Sequence, residues 1–336
     1  MSKLLTIAVP TYNMEALLER CLDSFLVDNE ALEKLEVLVV NDGSKDSSSL
    51  IAHRYEAHYP HTFKVIDKEN GNYGSCINRA LKIAQGKYFK ICDADDKYDT
   101  AALRSFIDFL SEAQSDIVFS PYRVLDPDSN VLSVVETAAD YTQGSYDIED
   151  VNWFTPAMIR YRAMHTMSVA THILRNNGYT QTEGISYTDT EFIFYSILYS
   201  STCSFFPQPV YEYFLGRDGQ TMSTASIQKS HMHFYKNAKR MLDDYVVLPA
   251  SIGENKRQLL FLSIMACVHF FAGTSVVHIF HNREQISLLR GLIEESKTSN
   301  VDCPIEKELL EQRYYRLWRR FHVPSKVLYA LIHMRT

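Results

Sequence analysis

The sequence lacks the patterns that mark several common classes of protein. Its six cysteines include no C-x-x-C pair and no zinc-finger spacing, which favours buried single thiols in a reduced setting over a disulfide framework. It contains no G-x-G-x-x-G fingerprint of dinucleotide binding, no G-x-S-x-G elbow of a serine hydrolase and no H-E-x-x-H zinc motif. Lys and Arg number 34 against 41 Asp and Glu, and the net charge of −7 argues against the broad basic face that binds nucleic acid.

Signals for secretion and membrane insertion are also weak. The first residues, MSKLLTIAVPTYN, have too short an apolar run and no small-residue cleavage site for a signal peptide, so we expect a cytoplasmic protein. One apolar stretch, Leu259 to Phe280, is long enough to cross a bilayer, but it contains two histidines, two serines, a threonine and a glycine. This composition favours a core helix over a membrane span.

The first third of the chain has the pattern of an α/β fold, with a mostly parallel sheet and helices on both faces. Short apolar runs alternate there with segments of helical period. The predicted strands are Leu4–Val9, Leu35–Val40, Phe63–Ile66, Tyr88–Cys92 and Ile117–Ser120. The predicted helices lie at Leu17–Leu26, after NDGSKDSS, at Ser75–Ala84 and at Ala101–Ala113.

The later part of the chain follows a different pattern. Beyond about Asp126 it becomes irregular, which indicates a loop or a hairpin, and from Ser226 onward it is mostly helical. We therefore expect one domain over residues 1–224 and a mainly helical C-terminal domain over residues 225–336.

Polar clusters follow three of the predicted strands: PTYN, NDGS and DADD. Right-handed crossovers bring the carboxyl ends of parallel strands to one edge of a sheet, where ligands of open α/β sheets bind. We expect the three clusters to converge on one crevice. In DADD, three carboxylates fall within four positions, and their repulsion requires a cation, a hydrogen-bond donor or a ligand to offset it.

Four segments, in this order and spacing, resemble the successive motifs of the family 2 glycosyltransferases. They are IAVPTYN, EVLVVNDGSKDSS, ENGNYGSCINRALKIAQGKYFKICDADD and YTDTEF, and the resemblance covers roughly Met1 to Ser223. It implies a GT-A fold and an inverting transfer of a sugar from a nucleotide-diphosphate donor to a hydroxyl group.

The resemblance assigns the nucleotide base to two loops. Asp42 matches the family aspartate that accepts a hydrogen bond from the base, and Pro10, Thr11 and Tyr12 form the loop that holds it. Without the other motifs, a plain turn at Asp42-Gly43 is the simpler interpretation.

A helix after these loops supplies three further candidates for donor binding. Gly74 opens the helix, so that its N-terminal N–H groups face the nucleotide, and Asn78 and Arg79 lie one turn further along. For Arg79, a surface position on an amphipathic helix is an equal alternative.

Asp93, Ala94, Asp95 and Asp96 resemble the DxD element, which holds the donor and a metal ion. Mn²⁺ or Mg²⁺ prefers carboxylate and phosphate oxygens, and such an ion would relieve the repulsion within the cluster. Asp95 carries most weight as a metal ligand, Asp93 binds ribose or metal, and Asp96 is a supporting partner. The alternative is a solvated acidic turn.

YTDTEF matches the family segment that carries the catalytic base. Asp189 is the candidate that takes the proton from the acceptor hydroxyl, with Glu191 as its competitor. Thr188 stands where the family commonly has glutamate, whereas Phe192 keeps its place. A role for Asp189 in capping the following helix is an alternative that can hold at the same time.

A loop that follows, GRDGQTMS, contains Arg217, Gln220 and Thr221. By resemblance these residues close over the diphosphate, and two glycines permit such motion. An exposed linker between domains is the other interpretation.

The last segment, residues 312–336, is basic and aromatic and has no Asp or Glu. This mixture suits a peripheral helix on anionic lipid, and equally a helix that packs its aromatic side on the protein. Membrane contact would place the protein at the inner face of the cell membrane, with a lipid-linked saccharide as acceptor. A homodimer is a further expected assembly.

Together these patterns predict a metal-dependent hexosyltransferase that uses a nucleotide-diphosphate sugar, with uridine favoured, and a saccharide acceptor. The setting implied by the resemblance is capsule, exopolysaccharide or cell-wall glycan assembly. The alternatives are a sugar nucleotidyltransferase, for which AVPTYN lacks a Gly- and Lys-rich phosphate loop, and a catalytically silent glycan-binding or scaffold protein.

Overall fold

The computed structural model describes residues 2–136, 141, 144–216, 227, 229–275, 283–297, 304–312, 315–316 and 319–320. The chain forms two compact units. The first unit comprises Met1–Ile185 and Tyr195–Asp218, and the second comprises Ser186–Phe194 and Gly219–Thr336. The second unit thus includes a short segment that lies well inside the expected domain 1–224. The functional roles expected for the two domains stay predictions.

All the strands in the described residues belong to the first unit. They are β1 (Leu5–Thr11), β2 (Leu35–Asn41), β3 (Phe63–Asp67), β4 (Tyr88–Ile91), β5 (Lys97–Tyr98), β6 (Ile117–Phe119), β7 (Tyr122–Leu125), β8 (Val131–Val135), β9 (Tyr146–Asp147), β10 (Met167–Ala170), β11 (Thr202–Phe205) and β12 (Tyr211–Phe214). The five strands predicted from the sequence are therefore confirmed, with ends shifted by one or two residues.

The larger sheet has the order β3-β2-β1-β4-β10-β6-β11-β9 within the described residues. Its first four strands are parallel, whereas β10 runs antiparallel to both β4 and β6. All seven residues of β2 are buried, as expected for a parallel strand covered on both faces. A smaller sheet has the order β5-β12-β7-β8. The hairpin of β7 and β8 occupies the region that the sequence assigned to a loop or hairpin.

The helices in the described part of the first unit are α1 (Leu18–Asp23), α2 (Asn29–Lys34), α3 (Ser48–His58), α4 (Asn72–Ile83), α5 (Thr100–Glu112), α6 (Pro156–Tyr161) and α7 (Thr171–Asn176). Short 3₁₀ helices lie at Ile148–Asp150 and Met164–Thr166. The predicted helices are confirmed, and α2 is an addition. Helix α4 begins at Asn72, two residues before Gly74, so the prediction that Gly74 opens this helix is wrong.

Helix α8 (Asp189–Tyr199) starts in the second unit and ends in the first. The other described helices of the second unit are α9 (His231–Val246), α10 (Glu254–Gly273), α11 (Arg283–Lys297) and α12 (Ile305–Glu311). Across the ranges that the structure describes, no helix combines the length and the apolar character that a bilayer crossing requires. Helix α10 instead buries leucine and phenylalanine side chains in the second unit, as the sequence predicted.

The cysteines in the described residues agree with the prediction of buried single thiols. Cys21, Cys76, Cys92, Cys203 and Cys267 are all buried and reduced, and Cys303 lies outside the described residues. Most of the basic tail, residues 312–336, also lies outside them. Of its described residues, Arg316 donates to the Leu310 and Glu311 carbonyls at 2.9 Å, and Arg319 pairs with Glu306 at 2.9 Å.

Candidate active site

The loops after β1 and β2 are bonded to each other at the carboxyl edge of the parallel strands. The backbone N–H of Asp42 donates to the Thr11 carbonyl at 2.8 Å. Asn13 accepts from the Lys45 N–H at 2.8 Å through its side chain, and its own N–H donates to Ser44 Oγ at 3.0 Å. PTYN and NDGS therefore converge as the strand order predicted.

Asp42 lies in a polar pocket beneath these loops, with its side chain only 4% exposed. Its Oδ1 accepts from Lys68 Nζ at 2.5 Å and from the Gly71 N–H at 2.9 Å. Lys68 also donates to Ser75 Oγ at 2.8 Å. The buried carboxylate is thus paired with a lysine, and it accepts a second bond from the backbone of the ENGN segment. This arrangement is more than the plain Asp-Gly turn requires.

The loop after β1 presents one aromatic ring to solvent. Tyr12 is 47% exposed, whereas Thr11 is buried and donates from Oγ1 to the Val9 carbonyl at 3.1 Å. An exposed ring beside a buried carboxylate can stack on a flat base while the carboxylate accepts a hydrogen bond. Pro10 is the last but one residue of β1 and lies opposite Val40 of β2.

The start of α4 is fixed by contact with the chain at 181–183. A Cβ at Gly74 would lie 2.1 Å from the Thr182 carbonyl oxygen, so only glycine fits there. The Asn78 side chain donates to the Gln181 carbonyl at 2.9 Å and accepts from the Gln181 N–H at 2.7 Å. Gly74 and Asn78 therefore hold this segment in place, and Arg79 is exposed. The predicted contacts of all three with a nucleotide stay predictions.

A short acidic segment follows β4 at the same sheet edge. It consists of Asp93, Ala94, Asp95 and Asp96 and is called the acidic corner. Carboxylate oxygens of the three aspartates lie within 4.8 Å of one another, a spacing that suits a single metal ion. Asp93 and Asp95 are partly exposed, and Ala94 is buried. Tyr73, from the first turn of α4, donates to Asp93 Oδ1 at 2.7 Å.

Asp96 differs from its two neighbours because it is fully buried and bonded through both oxygens. Tyr211 donates to Oδ2 at 2.6 Å and the Phe214 N–H donates to Oδ1 at 2.8 Å, which ties the corner to β12. Burial, together with the charges of Asp95 and Asp93, raises the pKa of Asp96 well above its usual value, against the effect of these two bonds. Its expected part in metal binding stays a prediction.

Arg20, from α1, holds the acidic corner from another side. Its Nη2 donates to the Asp95 carbonyl at 2.5 Å, and the guanidinium carbon lies 3.7 Å from the centre of the Phe214 ring. Stacking on an aromatic face fixes the plane of the guanidinium group. Arg20 and Asp96 thus both contact Phe214, the last residue of β12. Arg20 stacks on its ring, and Asp96 accepts a hydrogen bond from its backbone N–H.

Two residues of basic type, the buried Lys90 and the partly buried His165, lie next to each other. Lys90 on β4 donates to the His165 carbonyl at 2.7 Å, and burial lowers its pKa to about 7. The His165 ring stacks on Tyr211 and Tyr213 at 4.8 Å, and burial, with the Lys90 charge, lowers the pKa of His165 to about 3. His165 is therefore a neutral packing residue.

Asp189 belongs to the second unit, in the segment 186–194. It is the first residue of α8 and is partly buried. Burial raises its pKa above the ordinary value, against hydrogen bonds from the backbone N–H groups of Thr190 and of Asp189 itself. Its competitor Glu191 is fully buried and pairs with Arg240 at 2.5 Å.

The acidic corner and Asp189 lie in different units, and their meeting across one cleft stays a prediction. Arg217, Gln220 and Thr221, the candidates for closing over the diphosphate, lie outside the described residues.

The residues missed by sequence reasoning are those that hold the candidate groups in place. Lys68 and Tyr73 flank the ENGN segment, and this proximity to a predicted motif is a signal that could have identified them. Arg20 and Tyr211 lie 75 and 115 residues from their partners in the corner, so no local pattern marks them.

Three comparisons place the chain among known proteins. The family model described as glycosyl transferase family 2 matches residues 6–172. The poly(ribitol-phosphate) beta-glucosyltransferase of Bacillus spizizenii is 28% identical over 291 residues, which is 82% of this chain and 42% of that protein. The uncharacterized glycosyltransferase EpsJ of Bacillus subtilis is 36% identical over 118 residues, 35% of this chain and 33% of EpsJ. The chain thus spans less than half the length of these curated relatives.

Solved structures share the fold. S. aureus TarS 1-349 in complex with UDP-GlcNAc superposes with a TM-score of 0.69 at 21% identity, covering 98% of this chain and 90% of the other. The mannosyltransferase PcManGT from Pyrobaculum calidifontis, in complex with GDP-Man and Mn²⁺, gives a TM-score of 0.53 at 15% identity, covering 100% and 88%. These similarities confirm the predicted α/β fold of GT-A type with a helical C-terminal region.

Proposed function

The chain belongs to glycosyl transferase family 2, and from this we propose that it transfers a sugar from a uridine-diphosphate sugar to a hydroxyl group of a bacterial surface glycan. The observation that carries the proposal is the convergence, at one edge of a parallel sheet, of the Asp42 pocket and the acidic corner. Open α/β sheets bind nucleotides at this edge.

The donor nucleotide would bind between Tyr12 and Asp42. Asp42, which is paired with Lys68, accepts the N–H of the base, and the exposed ring of Tyr12 covers the base. Uridine is favoured because S. aureus TarS, which shares the fold over 98% of this chain, is solved with UDP-GlcNAc and with UDP.

The acidic corner fits a divalent ion. Three carboxylate groups that lie within 4.8 Å of one another supply the hard oxygen ligands that Mn²⁺ and Mg²⁺ prefer. Asp93 and Asp95, which are partly exposed, would hold the ion, whereas Asp96 is buried and anchors the corner to β12. When bound, the ion supplies positive charge to the diphosphate leaving group.

Asp189 is assigned as the proton acceptor. The acceptor oxygen attacks the anomeric carbon, the bond from that carbon to the diphosphate oxygen breaks, and the hydroxyl proton passes to the Asp189 carboxylate. Inversion at the anomeric carbon follows from this single displacement. Glu191 is the weaker candidate because Arg240 already neutralises it in a buried pair.

Two relatives support a proposal for the acceptor class. One is a poly(ribitol-phosphate) beta-glucosyltransferase, and another, 30% identical over 112 residues, is the minor teichoic acid biosynthesis protein GgaB of Bacillus subtilis. We assign the acceptor to hydroxyl groups of a polyol-phosphate or saccharide polymer of this kind.

The test is a screen of UDP-sugars, with poly(ribitol phosphate) and oligosaccharides as acceptors, in the presence and absence of Mn²⁺. We expect metal-dependent release of UDP that an acceptor accelerates. Thermal stabilisation by UDP with Mn²⁺ supports a donor site. Stabilisation by oligosaccharide alone, without turnover of any donor, would show a glycan-binding protein instead.

A further inference from the structure

The turn that leads into Asp189 has a backbone conformation that its sequence does not favour. Tyr187 has a φ of +62°, in the left-handed region that bulky residues rarely adopt. Such a conformation persists only where the surrounding structure imposes it, and it is concentrated at functional sites. The residues that impose it here are therefore of interest.

Those residues lie on one face of helix α9. Asn237 donates from its amide to the Tyr187 carbonyl at 2.8 Å and to the Ser186 carbonyl at 3.2 Å. His233, one turn earlier, accepts from the Ser186 N–H at 3.1 Å. Arg240, one turn later, pairs with Glu191. The spacing of four and three residues places all three side chains on the same face of the helix.

Aromatic packing also stabilises the turn at Ser186 and Tyr187. The Tyr187 ring stacks on Phe234 at 4.2 Å with an interplanar angle of 19°, and Phe234 stacks in turn on Phe270 of α10 at 4.9 Å. Thr190 is bonded from Oγ1 to the Tyr187 carbonyl at 3.1 Å and lies 3.2 Å from Cys267 Sγ. Both sides of Asp189 are thus fixed by helices that come later in the chain.

Asn237 is an unusual choice for its position. It is fully buried, and its Oδ1 has no hydrogen-bond partner among the residues that the structure describes. Burying an unpaired polar oxygen is unfavourable, and a leucine of similar size would avoid it. The benefit of the amide is its two bonds to the carbonyls of this one turn.

We propose that Asn237 is a positioning residue for the proton acceptor, and that helix α9 of the second unit serves the transfer reaction by setting the direction of the Asp189 carboxylate. Asn237 fixes Tyr187 in the left-handed conformation, and Tyr187 in turn sets the first turn of α8. The assignment of Asp189 as proton acceptor rests on the proposed function, whereas the hold on the turn rests on the contacts alone.

The test compares the full-length protein with Asn237→Leu and with a matched core variant of the same helix, Leu242→Ala. Leu242 is fully buried in α9, and its loss weakens packing without removing a bond to the turn. We expect Asn237→Leu to lower kcat about 100-fold, because a displacement of about 1 Å costs this much, with the KM for the UDP-sugar found in the donor screen unchanged. Leu242→Ala should keep kcat within a few-fold of wild type.

A second variant separates positioning from folding. Glycine adopts a positive φ without strain, so Tyr187→Gly in the Asn237→Leu background should recover part of the lost kcat. If the role of Asn237 were only to stabilise the unit, losing the Tyr187 ring as well would make the double variant worse. An additive loss in the double variant would therefore overturn the proposal.

Amide hydrogen exchange gives a readout that needs no activity. Exchange at residues 188–191 should be at least about tenfold faster in Asn237→Leu than in Leu242→Ala under conditions where both are folded. Equal protection in the two variants would overturn the proposal. A wild type that turns over no donor, with faster exchange in Asn237→Leu, would leave the hold on the turn supported and would refute the proposed function instead.

Discussion

The two units hold their candidate chemical groups in different ways. In the first unit, Asp42 and the acidic corner directly follow buried parallel strands, so the order of the chain places them at one edge. In the second unit, Asp189 lies in a short segment whose conformation is imposed by Asn237, 50 residues away from Tyr187. The candidate groups for donor binding are thus placed by local topology, whereas the proposed base is placed by packing against residues distant in sequence.

Asp95→Asn gives the largest expected loss of transfer. An amide in place of this carboxylate removes a negative ligand from the acidic corner, and a bound ion contributes several kcal/mol, so we expect transfer to fall about 1,000-fold or more. Thermal stability should be unchanged because Asp95 is partly exposed. The measurement is the initial rate of UDP release at several Mn²⁺ concentrations, with Asp128→Asn, an exposed acidic residue in a turn, as the control. Wild-type turnover in Asp95→Asn would remove the metal role.

Asp189→Asn probes the second unit. Loss of a general base costs about 10²- to 10⁴-fold in rate, whereas Mn²⁺-dependent binding of UDP should persist because the donor groups lie elsewhere in the chain. Transfer rates at saturating acceptor measure the expected loss of rate. Calorimetry measures the affinity for UDP in the presence of Mn²⁺. Undiminished transfer would place the base at another residue.

The same variant also has a predicted effect on stability. The pKa of Asp189 is raised in the folded protein, so its ionisation lowers stability as the pH rises through the interval between the unfolded and the folded pKa. At pH values above that interval, the charged carboxylate lowers the free energy of unfolding, and asparagine carries no such charge. Asp189→Asn should therefore have a melting temperature at pH 7 equal to or above that of wild type, and the gap should close at acid pH.

Arg20→Met tests how firmly the acidic corner is held. The change keeps apolar contact with Phe214 but removes the hydrogen bond to the Asp95 carbonyl. Partners that orient metal ligands contribute 10- to 100-fold in metal affinity, so the Mn²⁺ concentration for half-maximal rate should rise about tenfold. At saturating Mn²⁺ the rate should return to within a few-fold of wild type.

The matched control is Arg104→Met. Arg104 makes ion pairs with Asp28 and Asp108 at the surface of the same unit, so its loss should leave the metal dependence unchanged. A rise of the same size in both variants would mean that Arg20 acts only through general electrostatics.

Gly74→Ala and Gly291→Ala give the smallest expected effects. They should change the free energy of unfolding in opposite directions. An added methyl at Gly74 meets the Thr182 carbonyl, which should destabilise the first unit by about 1–3 kcal/mol. Gly291 lies within α11 with nothing near its Cβ position, so alanine should stabilise the second unit by about 0.5–1 kcal/mol. Urea unfolding measures both. A neutral Gly74→Ala would contradict the close approach of the two backbones.

Much of the first unit could be predicted from the sequence because its signals are local. Apolar runs of strand length identified β1, β2, β3, β4 and β6, and the polar residues after them identified the crevice. Strand ends were less certain because the last residues, such as Asn41, are polar yet bonded in the sheet. The start of α4 was missed since Asn72 adopts a positive φ, which no helix pattern predicts.

The division of the chain into its two units could not be predicted, for a physical reason. The boundary near residue 224 followed composition, and composition cannot show that residues 186–194 pack with later helices. Likewise the sequence assigned Asp96 a supporting part in metal binding beside Asp93 and Asp95. Only the bonds from Tyr211 and Phe214, more than 100 residues later, distinguish the anchor from the candidate ligands.

Titration of the full-length protein with UDP probes the proposed metal-assisted site for a uridine diphosphate at the carboxyl edge of the larger sheet. We expect saturable binding with Mn²⁺, at least tenfold weaker binding when the metal is chelated, and the same weakening in Asp95→Asn with Mn²⁺ present. Binding of equal strength in all three conditions, or no binding of UDP in any of them, would contradict this expectation.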